Sequence, residues 1–332
     1  MWYITTLLII GIIITGSIEH VTIPLFSTTF PSTYFVLLMT SIEGLIVFGI
    51  TFMITLKINN NFSNIKPDNL LLLIFTGMTN GLMSLCLLYA ANPARTPVLI
   101  QSVFLGLAVI PSVIFTKIIL DKKVSYIWHW TLISLIFLGA SIMCAVMPTI
   151  KSGNFNSGNV GWIFVYMLGI ILLSLTNILQ EKYTMITDNT FENKIKLAFY
   201  AGFFQVLTAI LLCWIDLFFG YCDNASDAFG NFTLSARVFF TDVPKFFMIQ
   251  LFVFDCLALF ILSIYLNNIS TNYNMILTNL TNQSVALFFT IFPNFNNGIH
   301  VSPIFVTISL LFNIVAVILW IKGEVHEYIE IK

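Results

Sequence analysis

Charge is what this sequence has least of. Only 9% of its 332 residues are Asp, Glu, Lys or Arg, against 58% hydrophobic, where a soluble domain carries roughly 25% charged residues. That scarcity excludes an ordinary soluble fold. The formal net charge is −1 and no basic patch points to nucleic acid. The five cysteines follow neither a disulfide framework nor a zinc spacing. Cys86, Cys144, Cys213 and Cys256 fall inside apolar runs, where cysteine acts as a small hydrophobe, and Cys222 stands alone in a more polar segment. Also missing are His-Glu-x-x-His, Gly-x-Gly-Asp and Gly-x-Ser-x-Gly, the settings that intramembrane proteolytic chemistry needs, and His20, His129, His300 and His326 are scattered. Neither an enzyme nor a metal or other cofactor is expected.

What is there is a succession of apolar runs of about 20 residues, the length that crosses a bilayer. In lipid the backbone must satisfy its own hydrogen bonds, so such runs are helices. Ten spans are expected, near 2–23, 34–56, 69–91, 97–119, 126–147, 160–182, 195–219, 245–266, 271–292 and 303–321. The first lacks a basic n-region and a small-residue cleavage site, so neither a cleaved signal peptide nor a transit peptide is expected. Ten Lys residues lie in the loops after even-numbered spans and in the C-terminal tail, against four Lys or Arg on the opposite side. By the positive-inside rule both termini are then cytosolic. The long segment near 220–244 faces the lumen or exterior, and it carries the glycosylation sequons "NAS" at Asn224 and "NFT" at Asn231. Sequons at Asn279 and Asn282 fall inside a span and should be silent.

Two stretches repeat each other. "IQSVFLGLAVIP" and "NQSVALFFTIFP" both hold Gln-Ser-Val, and in both a proline follows the glutamine by ten positions. Gln101 and Gln283 are 182 residues apart, as are Pro111 and Pro293, in the fourth and ninth spans. "SLIF" at Ser134 and "SLLF" at Ser309 echo this in the next spans. Ten spans read as two copies of five, residues 1–150 and 151–332, the second inverted because five is odd. The expected fold is therefore an all-α integral membrane protein of ten transmembrane helices in two inverted five-helix repeats. Secondary transporters are often built this way, with the substrate near the midplane between halves. On that reading Gln101, Ser102, Gln283 and Ser284 face a central cavity and Pro111 and Pro293 bend the helix ends that gate it; interhelical hydrogen bonding is the alternative.

Ionisable groups at membrane depth are costly and need a reason. Asp255 lies mid-span among apolar neighbours that favour its neutral form, which suits a proton carrier; a carboxyl hydrogen-bonded to the next helix is the alternative. Ser174, Asn177 and Glu181 share one helix face, with Glu181 either lining the cavity or forming an interfacial pair beside Lys182. Glu43 is near the middle of span two. Glu19 and His20 pair at the lumenal end of span one, as a sensor of lumenal acidity or a snorkelling interfacial pair. Asp216 is near enough to the boundary for solvent. Span nine is polar over half its length; Thr278, Asn282, Gln283 and Ser284 join Gln205 and Thr208 of span seven as candidate cavity lining. Gly77 and Gly81 have the small-xxx-small spacing of close helix packing. In the tail, Tyr328 and Ile331 fit a Tyr-x-x-hydrophobic sorting signal.

An ordered series of segments resembles the chloroquine-resistance-transporter-like family of the drug/metabolite transporter superfamily. "ANPARTPVLIQSVFLGLAVIPSVIFTKIIL" is similar to that family's fourth helix, "NILQEKYTMI" and "KLAFYAGFFQVLTAIL" to its sixth and seventh, and "FDCLALFILSIYLNNISTNYNMILTNLTNQSVAL" to its eighth and ninth. The resemblance runs from Asn80 onward and is weaker over the first two spans. It implies a ten-helix carrier exporting amino acids, small peptides or related solutes from an acidic vacuole with protons, and an acidic residue at the position of Glu181. Plastid relatives are linked to glutathione and its precursors. Members with a cysteine-rich lumenal loop differ from this chain, which has only Cys222 there.

The expected function is thus a proton-coupled secondary transporter moving small cationic or zwitterionic solutes from a vacuole or lysosome to the cytosol, working as a monomer in the lipid bilayer. A nucleotide-sugar carrier would want basic residues for phosphates, and no Lys or Arg lies at mid-depth. A glutathione or thiol carrier, an uncoupled channel or scaffold, and a plastid or plasma-membrane location are the alternatives.

Overall fold

The computed structural model describes residues 2–60, 65–92, 95, 96, 101, 104–122, 159–215 and 227–268, with 271, 274, 275, 277, 278 and 281 beyond them. Everything regular among these residues is helical. The helices are α1 (Trp2–Thr29), α2 (Thr33–Ile58), α3 (Leu70–Ala90), α4 (Val109–Ile119), α5 (Asn159–Ile186), α6 (Phe191–Leu211), α7 (Ala228–Thr241) and α8 (Val243–Asn267). Five are long and apolar enough to cross a membrane: α2, α3, α6, α8 and the stretch Val160–Ile186 of α5. Their water-side ends are set by side chains that accept an otherwise unpaired amide of the first turn. Ser32 accepts from Phe35 at 3.2 Å, Asn69 from Leu72 at 3.1 Å, Thr190 from Asn193 at 3.2 Å and Asp242 from Lys245 at 3.3 Å.

The surface is apolar and much of the interior is polar, the reverse of a soluble protein. Ile46, Ile50, Met53, Phe75, Phe247, Leu251 and Phe254 are exposed, while Asn80, Asn177, Gln180, Glu181, Asp255 and Asn267 are buried. Lipid supplies the missing partner for the first set, and the second must find partners within the bundle. Among the described residues the fold is all-helical, with five helices able to cross a membrane.

The helices match spans one, two, three, six, seven and eight, though α1 runs six residues past the expected end at 23 and α6 ends at Leu211, short of 219. Span five and span ten lie outside the described residues, as does most of span nine. The segment 220–244 was expected as a loop, and much of it is the helix α7. Its Phe232 and Phe239 pack onto Tyr34 and Phe35 of α2, and the Ser32 amide donates to the buried Ser235 hydroxyl at 2.8 Å. At 14 residues it is too short to span, so a search for runs of bilayer length passes over it.

Inside the bundle α3 lies between α5 and α6, α2 packs on α6, and α1 runs along α8. Gly77 and Gly81 do mark a close crossing: a Cβ at Gly77 would sit 2.4 Å from Phe204 Cβ and 2.6 Å from the Ala201 carbonyl. Two further glycines take leucines against their backbones. Gly11 of α1 meets Leu262 of α8, and Gly169 of α5 meets Leu87 of α3, at 2.9 and 2.7 Å from the Cβ each lacks.

Pro111 interrupts the fourth span. It has no amide to give the Leu107 carbonyl, and its ring crowds that carbonyl. The amides of Leu107, Ala108 and Ile110 instead bond three residues back, at 2.9, 3.1 and 3.0 Å, and α4 resumes at Val109. The Ala108 carbonyl, left beside this break, accepts the Ser174 hydroxyl of α5 at 2.7 Å.

One end of the bundle is rich in lysine and is laced across its helices. Lys196 of α6 pairs with Asp68 at 2.9 Å, Lys182 of α5 donates to the Ile119 carbonyl at 3.2 Å, and Asn59 donates to Glu192 at 2.8 Å. At the opposite end Arg95 lies 4.2 Å from the ring centre of Trp162, and the Tyr34 hydroxyl donates to the Ala209 carbonyl at 3.0 Å.

Candidate functional site

Six helices, α1, α2, α3, α5, α6 and α8, surround a cavity of about 180 Å³. Its polar wall comes from every one of them: Glu19 of α1, Ser41 of α2, Asn80 of α3, Asn177 and Gln180 of α5, Gln205 of α6 and Ser263 of α8. Leu37, Leu88, Phe252 and Phe260 supply apolar wall between them. Among the described lining residues the acid is Glu19, and there is no Lys, Arg or His. Such a wall offers amide and hydroxyl groups to a polar solute and attracts positive charge.

The wall groups are held in place by one another. Asn80 donates to Gln205 at 2.6 Å, and Gln205 donates onward to Ser41 at 3.1 Å, a chain across α3, α6 and α2. Thr176, also on the wall, donates to Thr79 at 3.0 Å. Fixed dipoles of this kind bind without having to reorganise, and burial among helices strengthens each bond.

Toward the lysine-rich end the cavity rests on a compact polar cluster. Asn267 donates to Asn177 at 2.7 Å and to Gln180 at 2.8 Å. Asn274 donates to Asn267 at 2.8 Å and to Asn177 at 3.2 Å. Beyond these amides, Glu181 accepts from the Lys122 ammonium at 2.5 Å and from the Thr271 amide at 2.8 Å. The Thr271 hydroxyl returns to the Asn177 carbonyl at 3.2 Å. Asn177, Gln180, Glu181, Asn267, Thr271 and Asn274 are all buried.

The expected site residues separate into those at the cavity and those elsewhere. Asn177, Gln205 and Glu19 line it. Gln101 is buried away from it, donating to the Ala91 and Thr96 carbonyls at 2.8 and 2.7 Å, so it fastens the turn between α3 and the fourth span. Thr208 and Thr278 bond their own helix carbonyls, at Phe204 and Asn274. Ser174 shares the helix face of Asn177, as expected, but its hydroxyl donates to the Ala108 carbonyl and it is not among the lining residues. Glu181 is ion-paired in the cluster below, and both oxygens of Glu43 accept from Gln250 of α8 at 3.1 Å. Asp255 is buried, and its Oδ2 has no hydrogen-bond partner among the described residues. His20 is half-buried next to Glu19 and is not among the lining residues. Asn231 lies within α7. Ser102, Asn224, Asn282, Gln283, Ser284, Pro293, Tyr328 and Ile331 lie outside the described residues.

Asn80, Ser41, Gln180, Asn267 and Lys122 belong to the site and were not singled out from the sequence. Asn80 was visible inside "GMTNG", where attention to the two glycines hid it. Gln180 and Asn267 stand at the ends of spans, where a polar residue ordinarily meets water. No family model matches this chain, and no curated protein matches it.

Proposed function

We propose that this protein is a secondary transporter that carries a small cationic or zwitterionic solute, such as an amino acid, an amine or a short peptide, together with protons. The observation that carries the reading is the cavity itself: a space of about 180 Å³ between six helices, largely apolar, with a polar group from each helix and one acid on its wall. Ligand pockets for drug-sized molecules run to roughly 300–1,000 Å³, so the smaller cargoes fit best. The absence of any basic side chain among the described lining residues favours an ammonium over a phosphate.

Ten spans in two inverted repeats with both termini cytosolic remain the proposed topology. Two features support it. The pairing of α3 with α5 and of α8 with α1 is what exchanging spans one to five with six to ten requires, and the glycine–leucine contacts Gly169–Leu87 and Gly11–Leu262 exchange in the same way. The lysine-rich end is then the cytosolic one, and the Asn177–Asn267–Glu181 cluster closes the cavity from the cytosol. Export from an acidic vacuole or lysosome is what the resemblance to chloroquine-resistance-transporter-like carriers implies and this orientation suits it; a monomer is the proposed working unit.

The test is uptake of labelled arginine and of a short peptide into proteoliposomes, with and without an acid gradient, for the wild type and Asp255→Asn. Gradient-driven uptake that the substitution abolishes is the expected result. Uptake indifferent to both would leave an uncoupled carrier or channel; no uptake of either cargo, or of glutathione, would remove the transporter reading.

A further inference from the structure

The contacts between α1 and α8 set an antiparallel register. Gly11 lies against Leu262, and farther along, the Cys256 thiol lies 4.0 Å from a Glu19 oxygen. Glu19 is eight residues beyond Gly11, and Asp255 is seven residues before Leu262. At 1.5 Å of rise per residue these are about 12 and about 10.5 Å from the same crossing, so the two acids stand level. They also face each other. Asp255, Leu259, Leu262 and Leu266 share one face of α8 at spacings of four, three and four, and the three leucines pack on Ile9 and Ile12 of α1.

The two carboxyl groups have different surroundings. Glu19 opens onto the cavity. Asp255 lies behind it, 3% exposed, with Oδ2 unpartnered among the described residues. A buried oxygen left without a donor is destabilising, the more so when charged. The other titratable groups close enough to feel Glu19 are Tyr166 of α5 and Cys256, and His20 adjoins it on α1. None supplies a fixed positive charge. Neighbouring buried carboxyl groups with no cation between them disfavour joint ionisation.

We propose that Glu19 and Asp255 form one proton-binding site across the α1–α8 contact, holding a single proton between them and exchanging it with the cavity through Glu19. The proton binds one carboxylate oxygen, the other carboxylate accepts its hydrogen bond, and on release it returns to cavity water. The remaining candidate acids are otherwise engaged: Glu181 by Lys122 and the Thr271 amide, and Glu43 by Gln250. The inference rests on the transporter reading for its purpose, since a shared proton at the cavity wall couples protons to whatever the cavity holds.

The experiment is infrared difference spectroscopy of the protonated-carboxyl band at pH 7, on purified protein in lipid nanodiscs. It compares wild type, Glu19→Gln, Asp255→Asn, the double variant and Glu19→Asp. Each single variant should lose the same signal as the double variant, because one proton needs both partners, and Glu19→Asp should keep it. Losses that add from the two singles, or a single variant that keeps the full band, would overturn the shared site. The transport assay separates the two readings. A shared band without transport of any cargo retains the site and removes the transporter; additive bands with gradient-driven transport retain the transporter and remove the pair.

Discussion

The Glu181 carboxylate joins three separate segments. One oxygen meets the Lys122 ammonium beyond α4 at 2.5 Å, and the other takes the Thr271 amide at the start of the ninth span at 2.8 Å. The Glu181 side chain is 4% exposed and that of Lys122 is 42% exposed, so the pair sits where the bundle interior reaches water.

If that contact holds the cavity shut on the lysine-rich side, Glu181→Gln should open it. Hydrogen bonds to charged groups contribute about 1.5–3 kcal/mol, and 1.4 kcal/mol is a factor of ten. Labelling of Ser263→Cys by a membrane-impermeant thiol reagent from that side is expected to rise about tenfold in the Glu181→Gln background. Lys122→Met should raise labelling less, because Glu181 still accepts the Thr271 amide. Unchanged labelling would make the pair an ornament of the loop rather than a closure.

Gln205 carries the wall, and removing it should be felt by the cargo. Gln205→Leu leaves Asn80 without its acceptor and Ser41 without its donor. An unpaired buried group costs about 1–3 kcal/mol, so KM for transported solute should rise by roughly tenfold, with kcat less affected. Direct solute binding by calorimetry checks the same loss without turnover.

Gln101 should behave oppositely. Its amide bonds the Ala91 and Thr96 carbonyls away from the cavity, so Gln101→Leu is expected to lower the thermal midpoint, at a cost of about 1–3 kcal/mol, while KM stays within twofold. A large KM change with unaltered stability would return this residue to the cavity.

Glycine substitutions should separate the crossings from the surface. Gly77→Ala forces a methyl within 2.4 Å of Phe204 Cβ and 2.6 Å of a backbone oxygen, and overpacking of this kind costs about 1–3 kcal/mol. Gly161→Ala meets nothing within 4 Å and should be neutral or slightly stabilising. Thermal unfolding in one detergent measures both.

The membrane class, the six matched spans and the close α3–α6 crossing were legible because each depends on properties local to the chain: run length, hydropathy and small-residue spacing. The cavity was only half legible. Gln205 and Asn177 could be found because polar residues mid-span are rare. Gln101 looked equivalent by the same rule, yet the local turn before the fourth span offered it two carbonyls. Periodicity placed Ser174 on a face with Asn177 and Glu181, and it is there, but its hydroxyl is taken by the Ala108 carbonyl of a neighbouring segment, a contact that exists only in the folded bundle. Lys122 and Asn267 were hidden for a related reason. Their roles come from segments that meet only in the folded bundle, and neither residue is unusual where it stands in the chain.

The floor beneath the cavity is made of carboxamides: Asn177, Gln180, Asn267 and Asn274 bond mainly to one another. None of them gains or loses a proton in any physiological range. Acid entering the cavity therefore changes the charge of its wall without touching the strength of these seams. In the carrier proposed above, these carboxamide seams hold alike at every acidity of the cavity. In that proposal, parting them falls to a cargo that offers those amides better company than they offer each other.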